Sequence, residues 1–197
     1  MGNNMFAYCG NNPVCFSDPT GTFFLYDLWN DAEDAIWKLG AKVLKLMRYD
    51  LTAKLLELSA SGSGNTYTAG RNSPVAKKIA ADKGFTNHVM NNYNSGVDGQ
   101  SDELSYAFPV SQGDLGAALH CVSYTYKTIT NGTAGKQCLL VTITDTFDFT
   151  EMKNPLTQGS VKAGFLWLAN DIACIDMKWG LLDQVSVTIE VVIPIEP

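Results

Sequence analysis

The chain has two histidines, His88 and His120, and no cysteine pair at Cys-x-x-Cys spacing. Structural zinc sites draw their ligands from such groups, so the sequence argues against one. The five cysteines (Cys9, Cys15, Cys121, Cys138 and Cys174) are odd in number and widely spaced, which fits buried or free thiols. A Cys121–Cys138 bridge stays open if those residues fall on paired strands. Basic residues are also scarce: 14 Lys and Arg stand against 20 Asp and Glu, a net charge of −6. An acidic chain has no bulk attraction for phosphate backbones. This argues against nucleic acid as a partner and lowers a nuclease reading, although a small local basic site would escape it. No run approaches the roughly 18 apolar residues of a membrane-spanning helix. Met1 is followed by Gly2, Asn3 and Asn4 rather than by a basic region and an apolar stretch, so no signal peptide is expected and export would need a carrier. The Gly-x-Ser-x-Gly elbow of serine hydrolases is missing. Gly62-x-Gly64 lacks the further glycine or Lys-Ser/Thr of phosphate loops.

What is present suffices for a folded domain. The chain has 197 residues, 46% hydrophobic and 17% charged, enough for one core with a short leader. Residues 1–25 are rich in Asn, Gly, Pro and aromatics, and Asn11-Asn12-Pro13 and Asp18-Pro19-Thr20-Gly21 are turn chemistry.

Over residues 26–59, Leu28, Ala32, Ala35, Ile36, Leu39, Val43, Leu46 and Met47 recur at helical spacing, with a break expected near Arg48-Tyr49-Asp50. Acidic Asp31, Glu33 and Asp34 precede Lys38, Lys42 and Lys45, as the helix dipole favours. Two readings compete for this segment: a membrane-active amphipathic helix with a basic later face, and an ordinary core-facing helix. Residues 59–73 read as a small-residue loop or hinge. Ser73-Pro74 opens a further helix running to about Met90, with an interruption near Gly84, and residues 91–100 read as loop.

From residue 104 the pattern turns to strand. Val122, Tyr124, Tyr126 and Thr128 alternate with polar residues, Asn131–Gly135 is the turn, and Leu139, Val141 and Ile143 continue on the return strand. Ser160 to about Met177 reads as a helix, with Phe165, Leu168 and Ile172 inward. Val185 to Ile193 reads as a last strand, closed by Pro194 and Pro197. The expected fold class is therefore α+β: N-terminal helices, then an antiparallel sheet built from a hairpin, a helix and a final strand. Residues 1–25 form a leader, and the helical region 26–100 joins 101–197 in one domain.

The densest polar cluster is Thr144-Asp145-Thr146-Phe147-Asp148-Phe149-Thr150-Glu151, where a strand gives way to a loop. Paired carboxylates such as Asp145 and Asp148 can hold a divalent cation or divide acid and base roles. The plainer reading has Asp148 capping a turn and Asp145 facing solvent. His120 stands just before the hairpin. Together with Asp114 it is expected to meet Asp145 across the sheet, and imidazole suits a general base because it changes charge near physiological pH. The catalytic candidates are Asp145, Asp148, His120 and Asp114. Cys121, beside His120, makes a poor partner for it, because neighbours on a strand point to opposite faces.

Two resemblances bear on function. Asn4-Met5-Phe6-Ala7-Tyr8-Cys9-Gly10-Asn11-Asn12-Pro13-Val14 followed by Asp18-Pro19-Thr20-Gly21 resembles the closing segment of the Rhs repeat-associated core of Rhs/YD-repeat proteins, over about an eighth of the chain. In that family a β-shell encloses a variable C-terminal domain, often a polymorphic toxin. The resemblance implies delivery into a rival cell and a cognate immunity protein as partner. It says nothing of the chemistry. Asp145-x-Phe147-Asp148-Phe149 is similar to the Asp-x-Tyr-Asp-Phe stretch of colicin M-type bacteriocins, which cleave the lipid-linked peptidoglycan precursor at the membrane. That likeness implies a cell-envelope target and a lipid-linked substrate. The tyrosine position is Phe147, and Asn154-Pro155 stands where a catalytic His-Arg is expected, so that family's mechanism does not carry over intact. Four functions remain in view: an enzymatic antibacterial toxin, a membrane-disrupting toxin working through its N-terminal helices, a non-enzymatic binding module and, disfavoured by the net acidity, a nuclease toxin.

Overall fold

The computed structural model describes residues 23–62, 65–100, 104–131, 136–148 and 182–195. Most of the leader, the hairpin turn at 132–135 and the helix expected over 160–177 lie outside them.

The first helix, α1, spans Phe23–Leu46, with Lys45 in its last turn. Arg48 ends it by taking a left-handed φ of 65°. The Tyr49 N–H then donates to the Leu44 carbonyl at 2.9 Å and the Arg48 N–H to the Lys45 carbonyl at 3.0 Å. This 6→1 and 5→2 pair is the Schellman closure, with arginine where glycine usually stands. It is the break expected near Arg48-Tyr49-Asp50. The second helix, α2 (Asp50–Ser59), folds back against α1. Trp37 and Ala41 of α1 pack with Ala53 and Leu56 of α2 and with Leu182, while Leu51 and Leu55 face the main core.

The segment read as a loop contains a strand, β1 (Thr66–Ala69). Helix α3 (Pro74–Ala80) follows, and the Ser73 side chain accepts from the Ala76 N–H as the sequence predicts. The interruption falls at Ala81–Asp82 rather than at Gly84, because Asp82 caps a new helix, α4 (Lys83–Asn94), by accepting from the Phe85 N–H. Next come β2 (Leu104–Ala107), a 3-10 turn at Val110–Gln112, the short α5 (Asp114–Ala118), β3 (Cys121–Asn131), β4 (Lys136–Phe147) and β5 (Val185–Pro194).

The five strands form one sheet in the order β1-β5-β4-β3-β2. The fold class is α+β, but the sheet is mixed. β2, β3, β4 and β5 pair antiparallel, whereas β1 runs parallel to β5 through Thr66↔Ser186 to Ala69↔Ile189. Residues of the 26–100 region thus share the sheet with those after 100. Period-two alternation divides its faces. Val122, Tyr124, Leu139, Val141, Ile143, Val187, Ile189 and Val191 enter the core beneath the helices. The opposite face carries a cross-strand row of hydroxyls, Thr68–Thr188–Thr144–Ser123–Ser105. β3 and β4 pair as expected, yet Cys121 starts β3 while Cys138 faces Ile129 near its far end, so both thiols are free.

At one end of the core Phe85 packs against Tyr106, Phe108 and Tyr124 at centroid distances of 5.3–5.6 Å. Nearby, the Tyr126 ring lies directly on Gly99, the Tyr126 N–H donates to the Gly99 carbonyl at 2.8 Å and the Tyr126 hydroxyl donates to the Val97 carbonyl. A methyl at residue 99 would enter the ring. Gly99→Ala is therefore expected to lower the unfolding free energy by about 1–3 kcal/mol, the usual overpacking penalty. A urea midpoint unchanged from the wild type would show that the contact is not so close.

Candidate active site

Asp145 sits in β4 between Ile143 and Phe147 on the core-facing side, opposite Val187 of β5. Strand alternation places a carboxylate there among buried neighbours, an uncommon position for aspartate. Burial is the main force on its carboxyl and pushes the pKa up from 3.8 to about 6. The Thr146 N–H, which donates to Oδ1 at 2.8 Å, opposes that rise. Asp148 adds to it by like-charge repulsion, and His120 works against it by attraction. Carboxylates tuned in this way cluster at functional sites.

The hairpin register explains the grouping. β3 and β4 pair from Ser123↔Thr144 onward, which brings the start of β3 beside the end of β4. His120 immediately precedes β3, and Asp148 immediately follows β4. The His120 carbonyl accepts from the Phe108 N–H at 3.1 Å, extending the β2–β3 ladder by one step. Its backbone is thus held while its side chain is exposed. Asp148 is exposed as well. Asp148 and His120 therefore each come close enough to act on Asp145 electrostatically.

Asp114 is directed elsewhere. Its buried carboxylate accepts from the Leu51 N–H at 3.2 Å, the Thr52 N–H at 3.0 Å and the Thr52 hydroxyl at 2.9 Å, and it pairs with Lys78 at 2.9 Å. Leu51 and Thr52 occupy the first turn of α2, whose own N-cap, Tyr49, makes no side-chain cap. Asp114 caps that helix from a distance of 62–63 residues along the chain, a structural role in place of the expected meeting with Asp145. His88 packs with Tyr106 and Tyr124 at ring distances of 5.3 and 5.9 Å and has Asn92 Nδ2 3.4 Å from its Nε2. It belongs to the aromatic end of the core.

Tyr67 was hidden by the loop reading of residues 59–73. It pairs with Val187, which itself faces Asp145, so Tyr67 lies two strands from Asp145 on the same side of the sheet. Its phenol is pushed up by burial first and by Asp114 second. The alternation in Thr66-Tyr67-Thr68 was the available signal.

The group can do acid–base chemistry: a carboxyl whose pKa is raised to about 6, an exposed imidazole and a second carboxylate at one sheet end. Among the described residues, no three or more His, Cys, Asp or Glu side chains are arranged to hold a metal ion, so the divalent-cation expectation rests on the two carboxylates Asp145 and Asp148 alone. No protein-family model matches the chain, and neither curated proteins nor solved structures give a match.

Proposed function

We propose that this chain is the toxin module of an Rhs-type interbacterial competition system and acts as a hydrolytic enzyme on a cell-envelope target, such as a lipid-linked peptidoglycan precursor. The tuned Asp145 carboxyl beside His120 and Asp148 carries the enzymatic part. The Rhs-like order of residues 4–21 carries the delivery part. The likeness of residues 145–149 to colicin M-type bacteriocins favours the envelope. In this reading Asp145 accepts a proton from an attacking water, His120 supplies one to the leaving group, and burial, with a smaller contribution from Asp148, keeps the Asp145 pKa high. With a pKa about one unit below neutral, roughly nine-tenths of Asp145 is ready as base at pH 7. A cognate immunity protein is the natural partner, and an envelope substrate places the module at a membrane.

Expression of the chain with and without a periplasmic export signal tests the reading. Growth arrest and lysis are expected from the periplasm alone and should be lost in an Asp145→Asn/His120→Ala variant that still folds. Degraded nucleic acid after cytoplasmic expression would make it a nuclease. Lysis that survives the double substitution would make membrane disruption the activity. Growth unaffected from both compartments would leave a non-enzymatic binding module.

A further inference from the structure

Among its described side chains, helix α1 covers only part of its apolar surface. Trp37 and Ala41 are buried against α2 and Leu182, and Leu44 packs beside them. Ile36, Leu39, Val43, Leu46 and Met47 remain outside, with Leu39 at 62% and Leu46 at 85% of full exposure. At 3.6 residues per turn these five side chains fall within an arc of about 100°, separate from the packed side. Lys38, Lys42 and Lys45, all exposed, occupy the next sector, roughly 60° wide, where the Lys45 ammonium also pairs with Glu57 of α2 at 2.6 Å. The charge pattern is the more telling part. In a chain of net charge −6, residues 35–49 contain Lys38, Lys42, Lys45 and Arg48 and no Asp or Glu. An apolar stripe flanked by lysines matches the boundary between acyl chains and anionic headgroups, where the stripe enters the former and the ammonium groups meet the latter. A second copy of the chain fits less well, because antiparallel pairing of two such stripes would set lysines against lysines.

We propose that this face of α1, Ile36–Leu39–Val43–Leu46–Met47 with Lys38, Lys42 and Lys45 beside it, docks the domain peripherally onto an anionic lipid surface. Among the described residues no helix is long and apolar enough to cross a membrane, so the contact lies in the interface plane. The proposal stands apart from the acid–base reading: Asp145→Asn is expected to bind lipid as the wild type does.

Co-sedimentation of the full chain with vesicles of phosphatidylglycerol and phosphatidylethanolamine, against vesicles of phosphatidylcholine, provides the test. Partitioning onto the anionic vesicles should be at least about tenfold stronger and should weaken as salt is raised. Leu39→Asp/Val43→Asp should reduce it by about tenfold or more, given the apolar area withdrawn from the acyl boundary. Both residues are already exposed, and an unchanged circular dichroism melt would show that the fold is intact. Lys38→Glu/Lys42→Glu, which leaves the stripe untouched, should abolish the preference for anionic vesicles. Equal or absent binding to the two vesicle types would overturn the proposal. So would a wild-type dimer that the Leu39→Asp/Val43→Asp variant converts to monomer, since a second copy would then be the occupant.

Discussion

Replacing Asp114 by alanine should lower the unfolding free energy by about 3–5 kcal/mol, among the largest effects expected of any single polar substitution in this chain. The magnitude follows from how many groups its carboxylate satisfies. Its side chain is 5% exposed and receives two first-turn N–H groups of α2, the Thr52 hydroxyl and the Lys78 ammonium. Those N–H groups belong to the positions an N-cap side chain ordinarily serves, and alanine would leave them without that acceptor. The consequence reaches beyond α2, because Leu51 and Leu55 join the main core while Ala53 and Leu56 hold α1. Asp114→Asn keeps an acceptor but not the charge and should cost about 1–2 kcal/mol. The Lys78 side chain is 47% exposed, so Lys78→Ala should cost about 1 kcal/mol or less. Urea unfolding measures all three. A loss below about 1 kcal/mol for the alanine variant would mean that α2 does not depend on this cap.

Asp145→Asn is expected to act in the opposite direction on stability while removing activity. The folded-state pKa of Asp145 lies above its ordinary value, so the native state holds the proton more tightly than the unfolded chain does. Between about pH 4 and 6 the unfolded chain releases that proton first, and stability declines as pH rises; above about 6 the full penalty of the ionised carboxylate is present. Asparagine carries no such penalty. The variant should therefore gain about 1–2 kcal/mol at pH 7–8, a figure reduced for the solvent that partly screens this half-buried group, and nothing below about pH 4. Activity in the growth assay should fall by about 10²–10⁴, the usual contribution of a positioned acid–base group. A gain in stability joined to a loss of activity marks a residue kept for function at the expense of the fold. A variant that loses stability at pH 8 would instead make Asp145 a structural residue.

Sequence pattern exposed the parts of this protein whose partners are local. The α1–α2 break, the Ser73 cap and the β3–β4 hairpin follow from helical spacing, capping chemistry and strand alternation within short windows. The association of His120 with Asp145 was legible for the same reason, since a hairpin fixes which residues share an end. β1 was not legible. It is four residues long, sits among small residues and pairs with a strand some 120 positions later, so no local window contains its partner. Its parallel pairing is also what makes the sheet mixed. Asp114 misled for a related reason. An acidic residue near a histidine in sequence reads as a catalytic partner, whereas its carboxylate is committed to the N-terminus of a helix 62–63 residues earlier. The exposed stripe of α1 fell between the two readings of that segment. One side of the helix is core, as an ordinary amphipathic helix requires, and the other stays uncovered beside its lysines.

Site-resolved titration of the Asp145 carboxyl carbon by NMR in the intact chain tests the central claim most directly. The expected result is an apparent pKa of about 6, rising further in His120→Ala, which removes an attractive charge, and falling in Asp148→Asn, which removes a repulsive one. A value near 3.8, unmoved by either substitution, would contradict it: Asp145 would then be an ordinary solvated carboxylate at a strand end and no acid–base centre.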